Sequence, residues 1–327
     1  MTRADLALIG FGNVGSRFAE LLEDRASRLA ADHQLTCRIA GRATRRTGAE
    51  YEGQPCRDPF EMVQRLAASD ADLRIVVETT TLDIRNGEPA IAHVRAAIEA
   101  GCHVVTANKG PVAFAYADLR DAAARAGVQF LFEGAVMDGV PIFNLVRETL
   151  PAVTILGFEG VINTTTNHII TSMEQGETFE NALARMQADG IAEADPSLDV
   201  DGWDAAAKTA ALANVLMGAQ LTPHDVRRTG LDTNTGEAAR AAIARGKRLK
   251  LVASARLAAG AVTCIVEPRE LPAGHLLAGL DGAANALILE TDVLQRIAIC
   301  QLSGSLTQTA YALLSDIIAI ARCPQTP

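Results

Sequence analysis

The chain has 327 residues, of which 49% are hydrophobic and 21% charged, so it is long enough for two domains that each bury a core. Its 30 basic residues stand against 39 acidic ones, a net charge of −9, which argues against nucleic acid or an anionic membrane as the main partner. Only 4% of the residues are aromatic. An apolar content carried by Ala, Val, Leu and Ile is typical of parallel sheets covered by Ala-rich helices, which predicts an α/β fold.

The six cysteines are scattered, without a CxxC pair or metal-ligand spacing, which predicts reduced thiols in a cytoplasmic protein. The chain begins without the apolar segment and cleavage site of a signal peptide. The apolar run at residues 311–321 contains Ser315 and Asp316 and is too short to span a bilayer. The histidines lie apart in sequence, so their spacing predicts no zinc site.

A glycine-rich turn follows the first predicted strand. The apolar residues 6–9 lead into Gly-Phe-Gly-Asn-Val-Gly, and residues 16–22 have helical apolar spacing. In a strand–turn–helix context this GxGxxG pattern predicts a Rossmann turn, with a dinucleotide pyrophosphate at the helix N-terminus. A purely structural glycine turn is the alternative. The predicted cofactor-binding residues are Gly10, Phe11, Gly12, Asn13, Val14 and Gly15.

A basic segment follows the second predicted strand, residues 35–40, and contains Arg42, Arg45 and Arg46. A chain that uses NAD usually has Asp or Glu there to bind the ribose 2′-hydroxyl, whereas arginine suits the 2′-phosphate of NADP. The arginines therefore favour NADP, with Arg42 as a cofactor residue. A solvated basic loop is the alternative.

Two further strand ends carry polar side chains. Thr79 and Thr80 follow a predicted strand at 74–77, and Lys109 lies in the turn after a strand at 103–106. The carboxyl ends of strands in a doubly wound sheet line the ligand crevice, so these side chains are expected to face the cofactor. The other elements predicted in this half are helices at 89–100 and 116–126 and a strand at 128–132. This alternation predicts a doubly wound, parallel Rossmann-type sheet.

After a Gly-rich hinge at 133–141 the pattern becomes α+β, which predicts a second domain inserted before the closing helix. Its predicted strands are residues 154–162, 250–255, 262–266, 286–291 and 296–300. The predicted helices are residues 143–148, 169–173, 178–187, 205–217 and 240–249, with 306–321 as the closing helix.

An acidic segment precedes the Ala-rich helix of this second half. Its charged residues are Glu193, Asp195, Asp199, Asp201, Asp204 and a single cation, Lys208. On a helix Asp204 and Lys208 share one face, and carboxylates beside such a pair suit a small molecule with an ammonium group. The alternative is a capped helix start, with Asp201 as N-cap, Asp204 in a capping box and a surface ion pair to Lys208.

Several segments together resemble homoserine dehydrogenase, nearly from end to end. They are residues 10–15, 82–89, 105–111, 132–136, 160–167 and 190–208, the last opening with Gly-Ile-Ala-Glu-Ala-Asp-Pro. The resemblance implies reversible NAD(P)-linked interconversion of L-homoserine and L-aspartate 4-semialdehyde. It also implies a nucleotide-binding domain, 1–135 with 304–327, joined to a substrate-binding and dimerisation domain, 136–303, and hence a homodimer.

The resemblance assigns site residues as well. Lys208 matches the family's catalytic lysine, and Lys109 matches the second lysine near the reacting carbon. The family's substrate loop matches Thr164, Thr165, Glu193, Asp199 and Asp204. Some members bind a sodium ion in the turn that matches Glu133, Val136, Asp138 and Val140.

The chain departs from the family in two places. The family's Gly-Pro-Gly-Ala-Gly segment before the closing helix is Gln-Leu-Ser-Gly-Ser at 301–305. Fewer glycines leave less room for a ring near the backbone, so nicotinamide affinity or substrate choice is expected to differ. The chain ends at Pro327, so a further regulatory domain and feedback control through it are not expected.

Oxidation of an alcohol by hydride transfer requires removal of the hydroxyl proton. The hypothesis is that Lys208 is the acid/base and that Asp204 holds it in place. Glu193 and Asp199 would bind the substrate ammonium, and Lys109 would position the cofactor-facing end or share the proton transfer. Two alternatives stay open: an oxidoreductase for another amino-acid semialdehyde or hydroxy acid, and a non-catalytic NADP-sensing protein.

Overall fold

A computed structural model describes residues 1–188 and 195–323. These residues form two compact units, Met1–Asn144 with the chain from Ser305 onward (unit 1) and Leu145–Gly304 (unit 2). The strands are β1 Thr2–Ile9, β2 Leu35–Thr44, β3 Gly48–Tyr51, β4 Gln54–Cys56, β5 Leu73–Glu78, β6 His103–Thr106, β7 Phe130–Leu131, β8 Ile155–Val161, β9 Arg227–Arg228, β10 Lys247–Ala258, β11 Ala261–Pro272, β12 Asn285–Thr291 and β13 Arg296–Gln301. The helices are α1 Asn13–His33, α2 Pro59–Ala67, α3 Ala90–Glu99, α4 Lys109–Ala126, α5 Phe143–Thr149, α6 Thr164–Glu174, α7 Phe179–Ala188, α8 Ser197–Val200, α9 Trp203–Met217, α10 Thr235–Ala244 and α11 Leu306–Arg322.

The sheet of unit 1 has the strand order β4-β3-β2-β1-β5-β6-β7. The five strands β2, β1, β5, β6 and β7, which are neighbours in this order, pair in parallel, as the strand–helix alternation predicts. The hairpin of β3 and β4 adds two antiparallel strands at the β2 edge. The predicted Rossmann-type parallel sheet is confirmed, and the antiparallel hairpin at its edge makes the sheet as a whole mixed.

The main core of unit 1 lies between the parallel strands, α1 and α11. Leu8 and Val77 of the sheet pack there with Phe18 of α1 and with Leu313 and Ile317 of α11. The apolar residues of α11 recur every three or four positions, so they form one stripe that faces the sheet. Burying each such side chain contributes roughly 1.5–3 kcal/mol. This burial explains why the closing helix belongs to unit 1 although it follows unit 2 in the chain.

Unit 2 contains the second sheet, with the order β13-β12-β8-β10-β11-β9. Its strands pair antiparallel except β11 and β9, which run parallel. The helices α6, α9 and α10 pack against β10, and α9 also packs against β11. A second α+β domain inserted before the closing helix is confirmed. Among the helices of the described residues, none has both the length and the apolar character that a bilayer span requires.

Two predictions placed strand and helix ends wrongly. Residues 41–44 continue β2 rather than forming a loop, because β3 pairs with them. The helix predicted at 240–249 ends at Ala244, and β10 begins at Lys247.

Three helix starts also differ from the predictions. α6 begins at Thr164 because the side chain of Asn163 accepts a hydrogen bond from the Thr166 N–H, a cap that apolar periodicity does not reveal. Likewise Lys109 is the first residue of α4, capped by the residue before it, and does not lie in a preceding turn. The residue before α9 is Gly202, with φ of 79°, whereas Asp201 ends the short helix α8. The capping box proposed for Asp201 and Asp204 is therefore wrong.

Candidate active site

The glycine turn connects β1 to α1, and its three glycines are needed for different reasons. A Cβ on Gly10, whose φ is +95°, would lie 2.7 Å from the carbonyl of Thr79. A Cβ on Gly15 would lie 2.7 Å from the carbonyl oxygen of Gly10. Around Gly12, no heavy atom of the described residues comes within 4 Å of such a Cβ. A tight turn, an open approach for the pyrophosphate and close helix packing are the three demands of a dinucleotide-binding turn.

The side chains beside this turn place an aromatic ring and a cation next to the opening. The Arg42 guanidinium lies 4.5 Å from the centre of the Phe11 ring. Asn13 and Val14 are the first residues of α1, and Gly12 offers the helix no side-chain cap. The N–H groups of this first turn are therefore suited to an anion.

A buried carboxyl group organises the ends of β5 and β6. Glu78 is fully buried and accepts hydrogen bonds from the N–H of Thr80 at 2.9 Å and the hydroxyl of Thr106 at 2.8 Å. The hydroxyl of Thr80 also donates to it. Burial raises the pKa of Glu78 above its usual value, against the hydrogen bonds of these threonines. Glu78 was not predicted as a site residue, although an ionisable side chain at the end of an apolar strand could have indicated it.

Hydrogen bonds connect the predicted cofactor residues at the ends of β5 and β6 to the glycine turn and to one another. Thr79 donates its hydroxyl proton to the carbonyl of Gly10 at 2.9 Å. The side-chain amide of Asn108 donates to the carbonyl of Thr80 at 3.0 Å, and its oxygen accepts from the N–H of Gly110 at 2.8 Å. Lys109 lies between these anchored residues and is half-buried. The backbone that presents Lys109 is thus anchored to Thr80, the residue that follows the one bonded to the glycine turn.

The acidic segment and its lysine form a nearly buried cluster in unit 2. The ammonium group of Lys208 lies 2.9 Å from Oδ2 of Asp204 and donates to the carbonyl of Ile162 at 2.8 Å. Only 16% of the Lys208 side chain and 15% of the Asp204 side chain are exposed. Such a pair is shielded from solvent, unlike a surface ion pair.

Asn163 connects the two aspartates of this cluster and was missed as a site residue. Its side-chain amide donates to Oδ1 of Asp199 at 2.7 Å and to Oδ2 of Asp204 at 2.8 Å. Its oxygen accepts from the N–H of Thr166 at 2.8 Å, which caps α6. A polar residue directly after a strand and before a helix is the feature that could have identified it.

The surroundings of Asp199 make its carboxyl group easier to protonate than that of an exposed aspartate. Burial raises the pKa of Asp199, and the negative charge of Asp204 raises it further, whereas Asn163, Lys208 and Thr165 lower it. Thr165 is itself buried, in the first turn of α6.

Thr164, another predicted substrate residue, makes a hydrogen bond to a different part of unit 2. The hydroxyl of Thr164 accepts a hydrogen bond from the amide of Asn285 at 2.9 Å. Glu193 lies outside the residues that the structure describes.

In the turn predicted to bind sodium, the carboxylate of Glu133 accepts hydrogen bonds from main-chain N–H groups. Glu133 accepts from the N–H groups of Ile142 at 2.6 Å, Phe143 at 3.0 Å and Asn144 at 2.6 Å. Asp138 accepts from the hydroxyl of Thr309 at 3.1 Å. Within residues 1–188 and 195–323 no three His, Cys, Asp or Glu side chains meet in a metal-binding group. A cation in this turn would therefore need main-chain carbonyl oxygens, which are hard ligands of the right kind, including those of Val136 and Val140.

The glycine turn on a doubly wound sheet defines unit 1 as a Rossmann-type dinucleotide-binding domain. Unit 2 adds a shielded lysine beside carboxylates that suit an amino acid. Together they define the protein as a dinucleotide-dependent oxidoreductase. The family sequence model described as the NAD-binding domain of homoserine dehydrogenase matches residues 10–133, and that described as homoserine dehydrogenase matches 141–318. The chain belongs to the homoserine dehydrogenase family.

Individual relatives agree with this assignment. The chain is 36% identical to an NAD(+)-dependent homoserine dehydrogenase from Pseudomonas canavaninivorans, over 98% of this chain and 97% of the relative. It is 33% identical to a homoserine dehydrogenase from Methanocaldococcus jannaschii, over 97% and 98% of the two chains. A crystal structure of a homoserine dehydrogenase from Thiobacillus denitrificans superposes with a TM-score of 0.87 at 31% identity, covering 99% of this chain and 77% of that one. The predicted family, enzyme class and use of a nicotinamide cofactor are confirmed.

Proposed function

We propose that this enzyme interconverts L-homoserine and L-aspartate 4-semialdehyde, with a nicotinamide dinucleotide held at the glycine turn of unit 1. The observation that carries the proposal is the cluster of Lys208, Asp204, Asp199 and Asn163 in unit 2. It combines one group that can transfer a proton with carboxylates that can bind an ammonium group. The names of the relatives support the same substrate.

Lys208 is the proposed acid and base. The nicotinamide ring, when bound, supplies or accepts the hydride. In the reduction, the ammonium group of Lys208 donates a proton to the carbonyl oxygen of the semialdehyde, and in the oxidation the amine recovers it. The carboxylate of Asp204, 2.9 Å away, stabilises the ammonium form, and the carbonyl of Ile162 fixes its direction.

The ammonium group of the substrate is the proposed partner of Asp199, together with Glu193 beyond the described residues. Asn163 supports this role because its side-chain amide orients the carboxylate of Asp199 through a hydrogen bond to Oδ1. Thr164 and Thr165, in the first turn of α6, are the proposed contacts of the rest of the amino acid. Lys109 is proposed to act at the cofactor-facing end, since its backbone is anchored at the carboxyl ends of the unit 1 strands.

NADP is the proposed dinucleotide, because Arg42 lies over Phe11 at the end of β2 and no acidic residue follows it before Glu50. The relative named as NAD(+)-dependent favours NAD instead. Comparing kcat/KM for both dinucleotides in the wild type and in Arg42→Ala separates these candidates. A preference for NADP that disappears in the variant supports the proposal, and a preference for NAD that survives the change contradicts it.

Three further properties belong to the proposal. A homodimer is proposed through unit 2, whose sheet carries a cavity of about 680 Å³ lined by apolar and charged side chains, including Ile265 and Arg269. A reducing, cytoplasmic location is supported by six free cysteines, of which Cys102 is buried with its pKa raised by that burial to about 11. A sodium ion at the main-chain carbonyls of residues 133–140 is the third.

The activity assay follows the absorbance of reduced nicotinamide with homoserine and either NAD or NADP. We expect reduction of at least one dinucleotide, and oxidation of the reduced form with aspartate 4-semialdehyde. The same assay with other hydroxy amino acids and hydroxy acids tests the related oxidoreductase. Dinucleotide binding without turnover of any of these compounds would contradict the proposal and favour a sensing protein.

A further inference from the structure

Asn285, the first residue of β12, makes an unusual set of contacts in unit 2. It is 3% exposed, and its side-chain amide donates to the hydroxyl of Thr164 at 2.9 Å and to the side-chain oxygen of Gln301 at 3.1 Å. Its own side-chain oxygen is buried and has no hydrogen-bond partner in the described part of the chain. Buried polar atoms nearly always have a hydrogen-bond partner, and a buried atom without one lowers stability. A side chain whose NH2 group is paired while its oxygen is not therefore indicates a role other than stabilising the fold.

Gln301 holds the other end of this chain of contacts. It pairs with Asn285 across the antiparallel strands β12 and β13 and is 3% exposed. Gln301 is also the first residue of the segment in which this chain departs from the family's glycine-rich pattern. The side chain of Gln301, which stands where the family has a glycine, therefore contacts Asn285 within unit 2. Asn285 in turn contacts Thr164.

The direction of the hydrogen bond from Asn285 leaves the proton of the Thr164 hydroxyl available. A hydroxyl that accepts a hydrogen bond from an amide keeps its own proton, which it can donate to an acceptor on the ligand. Thr164 is the first residue of α6, an 11-residue helix whose N-terminus favours a negative charge. An amino acid offers one anionic group, its carboxylate, while the aspartates of the cluster suit its ammonium.

We propose that Asn285, braced by Gln301, is a positioning residue that aims the hydroxyl of Thr164 at the carboxylate of the amino-acid substrate. This inference rests on the proposed function. It adds two residues, Asn285 and Gln301, that determine specificity without touching the substrate.

A double-mutant cycle tests the connection. Asn285→Leu and Thr164→Val each remove one partner of the hydrogen bond while keeping side-chain volume. Each change is expected to raise KM for homoserine about tenfold, the effect of losing one hydrogen bond to a charged group, with kcat and the KM for the dinucleotide little changed. Because Asn285 acts through Thr164, the double variant should be no worse than either single variant. An unchanged KM in Asn285→Leu, or additive effects, would overturn the proposal.

Two fragments of homoserine identify the group that is bound. The fragment 4-hydroxybutanoate keeps the carboxylate and lacks the ammonium, whereas 3-aminopropan-1-ol keeps the ammonium and lacks the carboxylate. Asn285→Leu should weaken inhibition by the first and leave the second unchanged. Equal losses for both would mean that the residue has only a structural role.

Asn214→Leu is the matched control. Asn214 is a buried asparagine of unit 2 that bonds to the main chain of Leu221 through both its donor and its acceptor, at 2.9 Å each. Its replacement should lower the melting temperature and leave KM for homoserine unchanged. If the same KM increase follows, the effect of Asn285 is general destabilisation and the inference fails.

The failure of the proposed function would look different. A wild-type enzyme that does not turn over homoserine contradicts that function alone. The fluorescence of Trp203, the one tryptophan of the chain and the neighbour of Asp204, then still reports the affinity of both fragments. Binding of 4-hydroxybutanoate that does not depend on Asn285 overturns the inference in either case.

Discussion

The ammonium group of Lys208 lies 2.9 Å from the carboxylate of Asp204, one turn earlier on α9. An exposed pair with this spacing would contribute only a few tenths of a kcal/mol to helix stability. This pair is largely shielded, and each member has a second partner, Ile162 for the lysine and Asn163 for the aspartate. The two contacts of the Lys208 ammonium group fix its orientation, which suits it to exchange a proton with a substrate held at one position.

Replacing Lys208 by Ala is expected to lower kcat by about 10²–10⁴, because the proton then has no positioned donor or acceptor. The affinity for the dinucleotide should stay the same, since the glycine turn belongs to unit 1. Lys247→Ala is the control, because Lys247 is an exposed lysine of unit 2 that pairs with Glu270. Stopped-flow measurement of hydride transfer checks the prediction, and near-wild-type turnover in Lys208→Ala would refute the assignment.

Asn163→Ala is expected to lower kcat/KM for homoserine by at least about tenfold, because both aspartates lose the amide that orients them. Loss of the α6 cap should also lower the free energy of unfolding by about 1 kcal/mol. Asp58→Ala removes the cap of α2, in unit 1, and serves as the control. Steady-state kinetics and urea unfolding of both variants separate the two effects. Equal kinetic losses in both would show that only helix stability matters.

The pH dependence of substrate binding should reflect the raised pKa of Asp199. Its neutral form cannot pair with an ammonium group, so KM for homoserine should rise as the pH falls through that pKa. Because burial and Asp204 raise the pKa above the usual 3.8, the midpoint should lie above 3.8. Asp199→Asn should have a high KM at every pH. A wild-type KM that stays constant from neutral pH to about pH 4 would contradict this role.

Gly12→Ala is expected to raise the KM for the dinucleotide by about tenfold or more while leaving the melting temperature unchanged. A methyl group there meets no described heavy atom within 4 Å, so it would occupy only the space left for the pyrophosphate. Gly274→Ala, in unit 2, has equally open surroundings among the described atoms and should change neither quantity. Thermal unfolding and dinucleotide titration check both variants. A melting temperature that falls only in Gly12→Ala would show a structural role instead.

Glu78→Gln is expected to change how stability depends on pH. Burial raises the pKa of Glu78 above 4.5, so the folded state holds this proton more tightly than the unfolded chain does. The contribution to stability is therefore present at acid pH and is lost as the pH rises from about 4.5 toward the raised pKa. The melting temperature of the variant relative to the wild type should increase across that range. A difference in melting temperature between variant and wild type that does not change with pH would contradict this prediction.

The sequence by itself determined the features that depend on neighbours along the chain. The order strand, Gly-x-Gly-x-x-Gly, helix predicts a dinucleotide turn because the φ of Gly10 and the packing of Gly15 are local requirements. The spacing of Asp204 and Lys208 places them on one face of any helix, so their pairing follows from sequence. The alternation of strands and helices likewise predicts the parallel part of the first sheet, since a crossover is needed between parallel strands.

Only the tertiary structure decided which distant residues complete the site. Asn163 reaches Asp199 and Asp204 across 36 and 41 residues of chain, and Asn285 reaches Thr164 across 121. Glu78 meets Thr106 because β5 and β6 are adjacent in the sheet. Such contacts have no period in sequence, because strand pairing and helix packing bring the groups together. The sequence therefore predicts the groups that react, and the fold decides which side chains orient them.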